Sequence, residues 1–267
     1  MRIPSLACAL VCALALGIGS LVPQASFAQS ATVNFPVAPA KPERQWGAGI
    51  GINFKQKAYR DVGTDTTAIP LLTYENDWIR FAGPTVDLKL PASRDLSLAL
   101  RARYAFEDGY EPGDAPILNG MAERKSSLWL GVATLWRGDI AHLGLDWLAD
   151  ASGNSKGQRV RLAVEKPYRI GSFLHTPRVA LNWLDDDYVD YYYGVRASEA
   201  RAGRPAYEGK STVSAELGLR SVYAFTRQHS VYLDVSATRL GDKIKDSPLV
   251  DRSNESAFRF GYVYQFN

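Results

Sequence analysis

Histidine is the side chain that most often acts as a general base near neutral pH, and this sequence has three, His142, His175 and His229. A hydrolase or acyltransferase of the Ser–His–Asp type needs one of them bonded to a nucleophile and oriented by an acid. His229 precedes Ser230, but adjacent residues of a strand point to opposite faces. His142 has no serine nearby on its own face. The pattern therefore predicts no catalytic residue, and no enzyme activity.

Four aspartates, Asp185, Asp186, Asp187 and Asp190, form a dense acidic cluster. Hard oxygen ligands at such spacing suit calcium. The cluster lacks the glycine turn and the closing glutamate of the EF-hand loop. We therefore expect a solvated loop tip and no metal site. No other pattern in the sequence indicates a bound cofactor.

Charged side chains alternate with apolar ones in several segments. Side chains of a strand point alternately to opposite faces, so each such segment has one apolar and one polar face. The charged members of the polar faces could line a conduit or cross-link the interior of a small barrel, and we favour a plugged or very narrow lumen. They are Arg101, Arg103, Asp146, Arg159, Arg161, Glu165, Arg178, Glu216, Arg220 and Asp234.

The last segment, 257–266, has the same alternation with aromatic residues at every second position. A soluble sheet could bury such a ridge against a second layer. However, the alternation recurs along the chain between long polar segments, which is typical of an outer-membrane barrel. An open sheet edge in lipid leaves backbone groups unpaired at several kcal/mol each. The pattern therefore predicts an all-β fold, a closed transmembrane antiparallel β-barrel.

The first 28 residues have the features of a cleavable export signal: Arg2, an apolar stretch, and the small residues Ser26 and Ala28 before the cleavage point. Both cysteines lie in this stretch. Residues 29–45 are rich in proline and predict an extended periplasmic leader, and 46–267 form the barrel. The mature chain keeps 30 of 31 basic side chains against 28 acidic ones, so no nucleic-acid partner is expected.

The turn signals divide the barrel into about 12 strands, an even number as bacterial barrels require. Short links at 74–77, 91–94, 137–139, 168–173 and 224–229 are predicted to face the periplasm. Long polar links at 107–126, 150–158, 184–210 and 239–255 are predicted to be extracellular. The segment 78–90 is split at Gly83–Pro84, because proline cannot donate to a central ladder. If that segment is one strand, the number of strands is no longer even, and the alternative is ten strands with part of this region outside the barrel.

Several outer-loop motifs carry a resemblance to a known family. The chain reads Tyr-Tyr-Tyr-Gly-Val at 191–195, Ser-Glu-Ala at 198–200 and Arg-Pro-Ala-Tyr at 204–207. It also has Leu-Asn-Gly-Met at 118–121 with Arg124, and Asp-Ser-Pro-Leu-Val at 246–250. These motifs, in this order, resemble the MipA/OmpV family of outer-membrane proteins of the Gram-negative cell envelope. The motif residues that we single out are Tyr192, Tyr193, Gly194, Val195, Tyr207, Ser247 and Pro248.

The resemblance implies a non-enzymatic barrel in the cell outer membrane. The family is named for a member that scaffolds a lytic murein transglycosylase and a murein synthase, so it implies a periplasmic murein hydrolase and a murein synthase as partners in peptidoglycan remodelling. Outer-membrane lipid and the barrel assembly machinery are the other expected partners. The mixed charges of the lumen leave a small diffusion channel open as an alternative, and other family members suggest an adhesion or stress-response barrel. Asn267 departs from the family by following the terminal aromatic residue.

Overall fold

The computed structural model describes residues 45–106 and 108–266. The predicted signal at 1–28, residues 29–44 of the predicted leader and Asn267 lie outside this part of the chain. The described residues form a single sheet of thirteen strand segments. They are β1 (Gln45–Gln56), β2 (Thr64–Glu75), β3 (Ile79–Ala82), β4 (Thr85–Leu90), β5 (Leu96–Tyr104), β6 (Leu128–Arg137), β7 (His142–Asp150), β8 (Gln158–Glu165), β9 (Tyr168–Ile170), β10 (Phe173–Leu184), β11 (Thr212–Ala224), β12 (His229–Arg239) and β13 (Asn254–Phe266).

The sheet closes on itself as an antiparallel barrel. β1 pairs with β13, from Trp46 opposite Phe266 to Gln56 opposite Ser256, and β10 pairs with β11. β8 and β9 both pair with β10 and are separated by Lys166 and Pro167, so they form one interrupted strand. The described barrel therefore has 12 strand positions, which confirms the predicted fold class and strand number.

A short hairpin makes the strand number even. β3 and β4 pair with each other and turn at Gly83–Pro84, as predicted from the proline. Gly83 has a φ of 56°, in the left-handed region that glycine adopts at little cost. Because the hairpin splits the segment 78–90, the ten-strand alternative is wrong.

The links between strands have two length classes, which lie at opposite ends of the barrel. Turns of two to five residues follow β2, β4, β6, β9 and β11, and with the ends of β1 and β13 they mark the periplasmic end. The longer loops follow β1, β5, β7, β10 and β12 and contain two helices, α1 (Asp186–Tyr193) and α2 (Asp242–Lys245), and the β3–β4 turn is the one short link that points the same way among the described strands. Two 3₁₀ turns, Pro116–Leu118 and Ala197–Glu199, lie there as well. No described helix is long and apolar enough to cross a bilayer.

The outward face of the barrel is apolar around its whole circumference. Large side chains such as Ile50, Leu130 and Val179 are between 45% and 61% exposed, although they lie in the middle of paired strands. Aromatic side chains concentrate near the periplasmic end, where Trp46 contacts Tyr74 and Tyr264 contacts Phe266. An apolar band with an aromatic girdle is the surface that a bilayer covers.

Candidate functional site

The lumen is crossed by a chain of ion pairs, the luminal ion cluster, which joins five strands. Glu216 accepts from Arg161 and Arg178 at 2.8 Å each. Asp234, with none of its surface exposed, accepts from Arg178 at 2.8 and 3.0 Å and from Arg220 at 3.0 Å. The cluster consists of Arg161, Arg178, Glu216, Arg220, Asp234 and Arg259.

A second group of charges lies on the opposite wall. Arg101 donates from Nε and Nη2 to the two carboxylate oxygens of Asp87 at 2.7 and 2.9 Å. It also donates to Asp146 at 3.0 Å. This bidentate geometry is the strongest that an arginine and a carboxylate adopt. Asp87 lies in the short strand β4, whose alternation the sequence analysis did not examine, so its role was missed.

The remaining predicted lumen residues also lie on inward positions. Glu165 is buried, whereas Arg103 and Arg159 are partly buried. The guanidinium of Arg159 lies 4.4 Å from the ring centroid of Trp129, a cation–π contact.

The periplasmic half of the lumen contains an apolar cluster. Tyr232 and Val222 lie two residues closer to the periplasm than Asp234 and Arg220 on the same strands, and they pack with Leu71 and Val263. A Cβ at Gly261 would approach the Tyr232 ring to 2.3 Å. Glycine on the inner face of β13 is therefore what admits this ring into the lumen.

A cavity of about 290 Å³ lies in the outer half of the lumen. The luminal ion cluster forms its floor, and Tyr59, Tyr188, Tyr192 and Tyr193 form its roof. Eight basic and four acidic side chains line it. Seven of the predicted lumen residues are among them: Arg103, Asp146, Arg159, Arg161, Arg178, Glu216 and Arg220.

The roof belongs to a packed outer cap, which consists of the loops 57–63, 105–127, 185–211 and 240–253. The Tyr59 ring stacks on Tyr193 at 5.3 Å and meets the edge of Tyr110 at 5.2 Å. The Tyr59 hydroxyl donates to the carbonyl of Tyr192 at 2.9 Å. Burial raises the pKa of Tyr110 to about 12, so its hydroxyl stays neutral. These contacts join loops that are far apart in the sequence.

Two buried arginines hold the cap together. Arg124 donates to both carboxylate oxygens of Glu199 at 3.2 and 2.9 Å and to the carbonyl of Tyr191 at 2.7 Å. Arg204, 1% exposed, donates to the carbonyls of Glu199, Ile117 and Asn119. Both arginines therefore tie the 105–127 loop to the 185–211 loop.

The Glu199 carboxylate makes the cap sensitive to acid. Burial alone would raise its pKa, but hydrogen bonds from Arg124 and from the amides of Ala122 and Arg196 lower the pKa to about 2. A lowered pKa in the folded state stabilises the cap fully above the ordinary glutamate value of about 4.3. We expect this contribution to be lost progressively as the pH falls from about 4.3 to 2.

Near-ultraviolet circular dichroism of the buried tyrosines measures this loss. The tyrosine signal of the wild type should decrease across that pH range, and Glu199→Gln should lower it already at pH 7. Glu208→Gln is the control, because Glu208 is exposed and pairs with the exposed Lys210. A Glu199→Gln protein with wild-type signal and wild-type pH dependence would contradict the assignment.

The family-motif residues meet in the cap, which the sequence did not indicate. Ser247 donates from its hydroxyl to the carbonyl of Tyr193 at 2.6 Å, and Val195 pairs with Tyr207. The Tyr207 hydroxyl donates to the carbonyl of Lys243 at 2.7 Å. Gly194 ends α1 where a Cβ would lie 2.3 Å from the Asp190 carbonyl. Pro248 lies in the same 246–250 motif, between Ser247 and the buried Leu249.

The aspartate cluster is largely exposed to solvent, as the sequence suggested, but it lies in and before the helix α1 and not at a loop tip. Asp185 caps α1 by accepting from the amide of Tyr188 at 2.9 Å. Asp186 and Asp190 accept from the amides of Ser211 and Gly209 at 2.6 and 2.8 Å. Carboxylates at a helix start satisfy free amides in this way, so these aspartates organise the cap.

The histidines lie apart from one another. His142 faces the lumen opposite Glu165, and His229 lies 2.6 Å from the Tyr262 hydroxyl on the outer face. His175 Nδ1 lies 2.9 Å from Ser221 Oγ, a contact that the sequence analysis missed because the two strands are distant in sequence. Among the described residues, no carboxylate hydrogen-bonds to this Ser–His pair, and its other ring contacts are aromatic.

Comparisons with known proteins agree with this geometry. The family model described as MltA-interacting protein MipA matches residues 48–266. The chain is 30% identical to the MltA-interacting protein of Escherichia coli (strain K12) over 233 residues, 86% of this chain and 93% of that protein. It is 29% identical to the outer membrane protein OmpV of Vibrio cholerae serotype O1 over 167 residues, 59% of this chain and 61% of that protein.

Among solved structures, an outer membrane channel from Pseudomonas putida F1 aligns with a TM-score of 0.45 at 10% identity, over 90% of this chain and 100% of that one. Strand pairing and sequence relatives, and not this alignment, place the barrel in the cell outer membrane. The chain belongs to the MltA-interacting protein family of outer-membrane β-barrel proteins.

Proposed function

We propose that this barrel is a non-enzymatic interaction protein that holds murein-remodelling enzymes, a lytic transglycosylase and a murein synthase, at the outer membrane. The name of the Escherichia coli relative, MltA-interacting protein, supports this proposal. The partners would bind at the periplasmic end, where murein lies. The outer cap and the lumen then serve to keep the barrel rigid.

The filled interior is the observation that carries the proposal. The luminal ion cluster and the apolar packing around Tyr232 occupy the lumen between its outer cavity and the periplasmic end. A pore needs a continuous water path through the lumen, and both groups of side chains project into that path. This arrangement favours a function at the surface of the barrel over a function as a diffusion channel. The Ser221–His175 contact has no orienting carboxylate among the described residues, which favours a protein without hydrolase chemistry.

The periplasmic turns offer a surface for such a partner. Ile140, in the turn between β6 and β7, is 81% exposed, and Trp78, after β2, is 65% exposed. Apolar side chains at turn tips can anchor a protein contact when a partner buries them. They face the compartment where the proposed enzymes act.

Binding of a purified lytic murein transglycosylase to the barrel in lipid nanodiscs tests the proposal. The wild type should bind, and Ile140→Glu should weaken the affinity about tenfold or more, about 1.4 kcal/mol, because it places a charge at the contact. Ala197→Glu adds the same charge to the extracellular cap and should leave binding unchanged. A wild-type barrel that binds neither the transglycosylase nor a murein synthase would overturn the proposal.

Planar-bilayer recording separates the scaffold from the diffusion channel. We expect the wild-type barrel to show no discrete conductance steps. Regular steps would instead assign the channel function.

A further inference from the structure

The wall of the barrel has a lateral gap above the β3–β4 hairpin. β2 pairs with β1 along its whole length, but it pairs with β3 only from Thr73 to Glu75. The hairpin ends there, where the amide of Gly83 donates to the carbonyl of Leu72 at 3.0 Å. On the other side, the amide of Tyr104 donates to the carbonyl of Pro84 at 3.0 Å. Above this tip β5 has also ended, at Tyr104, so no described strand lies beside β2 on this side.

The edge of β2 that borders the gap carries polar backbone groups at membrane depth. The Leu72 carbonyl points to the hairpin, so by alternation the backbone groups of Ala68 and Thr66 point into the gap. Pro70 lies at the same edge, where the missing amide of proline costs no hydrogen bond. Ile50, directly opposite Pro70 on β1, is 61% exposed and faces lipid. Backbone groups at this depth need polar partners from the lumen or from a ligand.

The gap leads into the cavity in the outer half of the lumen. Ile69 and Leu71 on β2, with Ala82 and Pro84 at the hairpin tip, line the cavity on the gap side. Arg103, opposite Thr85 at the tip, and Arg159 line it deeper in the lumen, where basic side chains outnumber acidic ones. Tyr104 and Phe106 lie beside the tip on the outer face, with ring centroids 4.6 Å apart. The cavity therefore has apolar side chains at its opening to the membrane and mostly basic side chains inside, of which Arg178, Arg220 and Arg259 also pair with the buried Asp234.

We propose that this cavity binds an amphiphile with an anionic head group, which enters from the outer leaflet through the gap. The head group lies against the basic side chains of the lumen, and the acyl chain leaves between β2 and the hairpin tip. A fatty carboxylate and a lipid phosphate share this chemistry. The site is on the opposite half of the barrel from the periplasmic turns, so it goes beyond the scaffold function and does not depend on it.

Native mass spectrometry of the barrel in a nonionic detergent tests the site by titration with two probes, dodecanoate and dodecyl phosphate. We expect at least one anion to bind at one-to-one stoichiometry and tenfold or more tighter than dodecyl maltoside or dodecyltrimethylammonium, because only an anion is attracted by the excess of basic groups. Preference for dodecanoate indicates a fatty acid as the source, and preference for dodecyl phosphate indicates a phospholipid or a lipid A phosphate.

Two matched variants locate the site. Ile69→Trp fills the gap side of the cavity and should weaken anion binding tenfold or more, whereas Ile50→Trp, the same change on the lipid face of β1, should not. Arg103→Gln should reduce the preference for anions over the neutral probe. Heat-modifiable migration on gels verifies that each variant is folded. Equal binding of anionic and neutral probes, or unchanged binding in a folded Ile69→Trp barrel, would overturn the proposal.

Discussion

Asp234→Ala is expected to destabilise the barrel by about 3–5 kcal/mol, the cost of breaking a buried ion pair from one side. Asp234 is fully buried and accepts from Arg178, Arg220 and Arg259. Its removal leaves three guanidinium groups close together, with Glu216 as the remaining carboxylate of the cluster. Urea unfolding of the barrel in lipid vesicles, followed by tryptophan fluorescence, measures the change in the free energy of unfolding.

Two further variants help to interpret the change in stability: one removes the charge of Asp234 but keeps its shape, and the other removes an exposed aspartate as a control. Asp234→Asn keeps the shape and one hydrogen-bond acceptor, so it should destabilise the barrel less than alanine does. Asp242→Ala removes an aspartate of which 84% of the side chain is exposed and which pairs with Lys245. Exposed pairs of this kind contribute little to stability, because water screens them. If Asp234→Ala and Asp242→Ala had equal effects, the luminal ion cluster would not be a stabilising element.

Arg204→Ala is expected to open the outer cap without unfolding the barrel. The Arg204 guanidinium bonds to three carbonyl groups in two loops, and its removal takes this donor from the buried residues Glu199 and Ile117 and from the exposed Asn119. Buried unpaired groups cost about 1–3 kcal/mol each, so we expect a loss of about 3 kcal/mol or more in local stability. Such a loss corresponds to roughly 100-fold faster amide exchange in 105–127 and 185–211.

Hydrogen exchange measured by mass spectrometry reports on the loops and the strands separately. Protection of β1 and β13 should stay as in the wild type, since the hydrogen bonds shown for Arg204 all go to loop carbonyls among the described residues. Arg196→Ala is the matched control, an exposed arginine of the same loop. Unchanged protection of both loops in Arg204→Ala would show that the tyrosine packing holds the cap without this residue.

The local sequence determined the barrel because each strand of a membrane barrel has only two faces, one towards lipid and one towards the lumen. Alternation in segments such as 257–266 fixed which side chains face lipid, and Gly83–Pro84 fixed the hairpin that makes the strand number even. Lumen positions such as Arg101 and Arg178 followed from the same alternation. These features depend on residues that are close together in the chain. An alternation of apolar and polar residues with a period of two can be recognised without knowledge of distant contacts.

The contacts between distant segments required the tertiary structure. Alternation placed Arg178 and Asp234 on inner faces, but their pairing depends on the register of β10, β11 and β12 across the sheet. The cap residues Arg124, Glu199 and Arg204 belonged to recognised motifs, yet loops have no period from which a partner can be inferred. The lateral gap arises because β2 is much longer than β3, so the outer part of β2 has no strand beside it. Which part of a strand stays unpaired depends on the register, and the register is set by pairing between strands across the sheet.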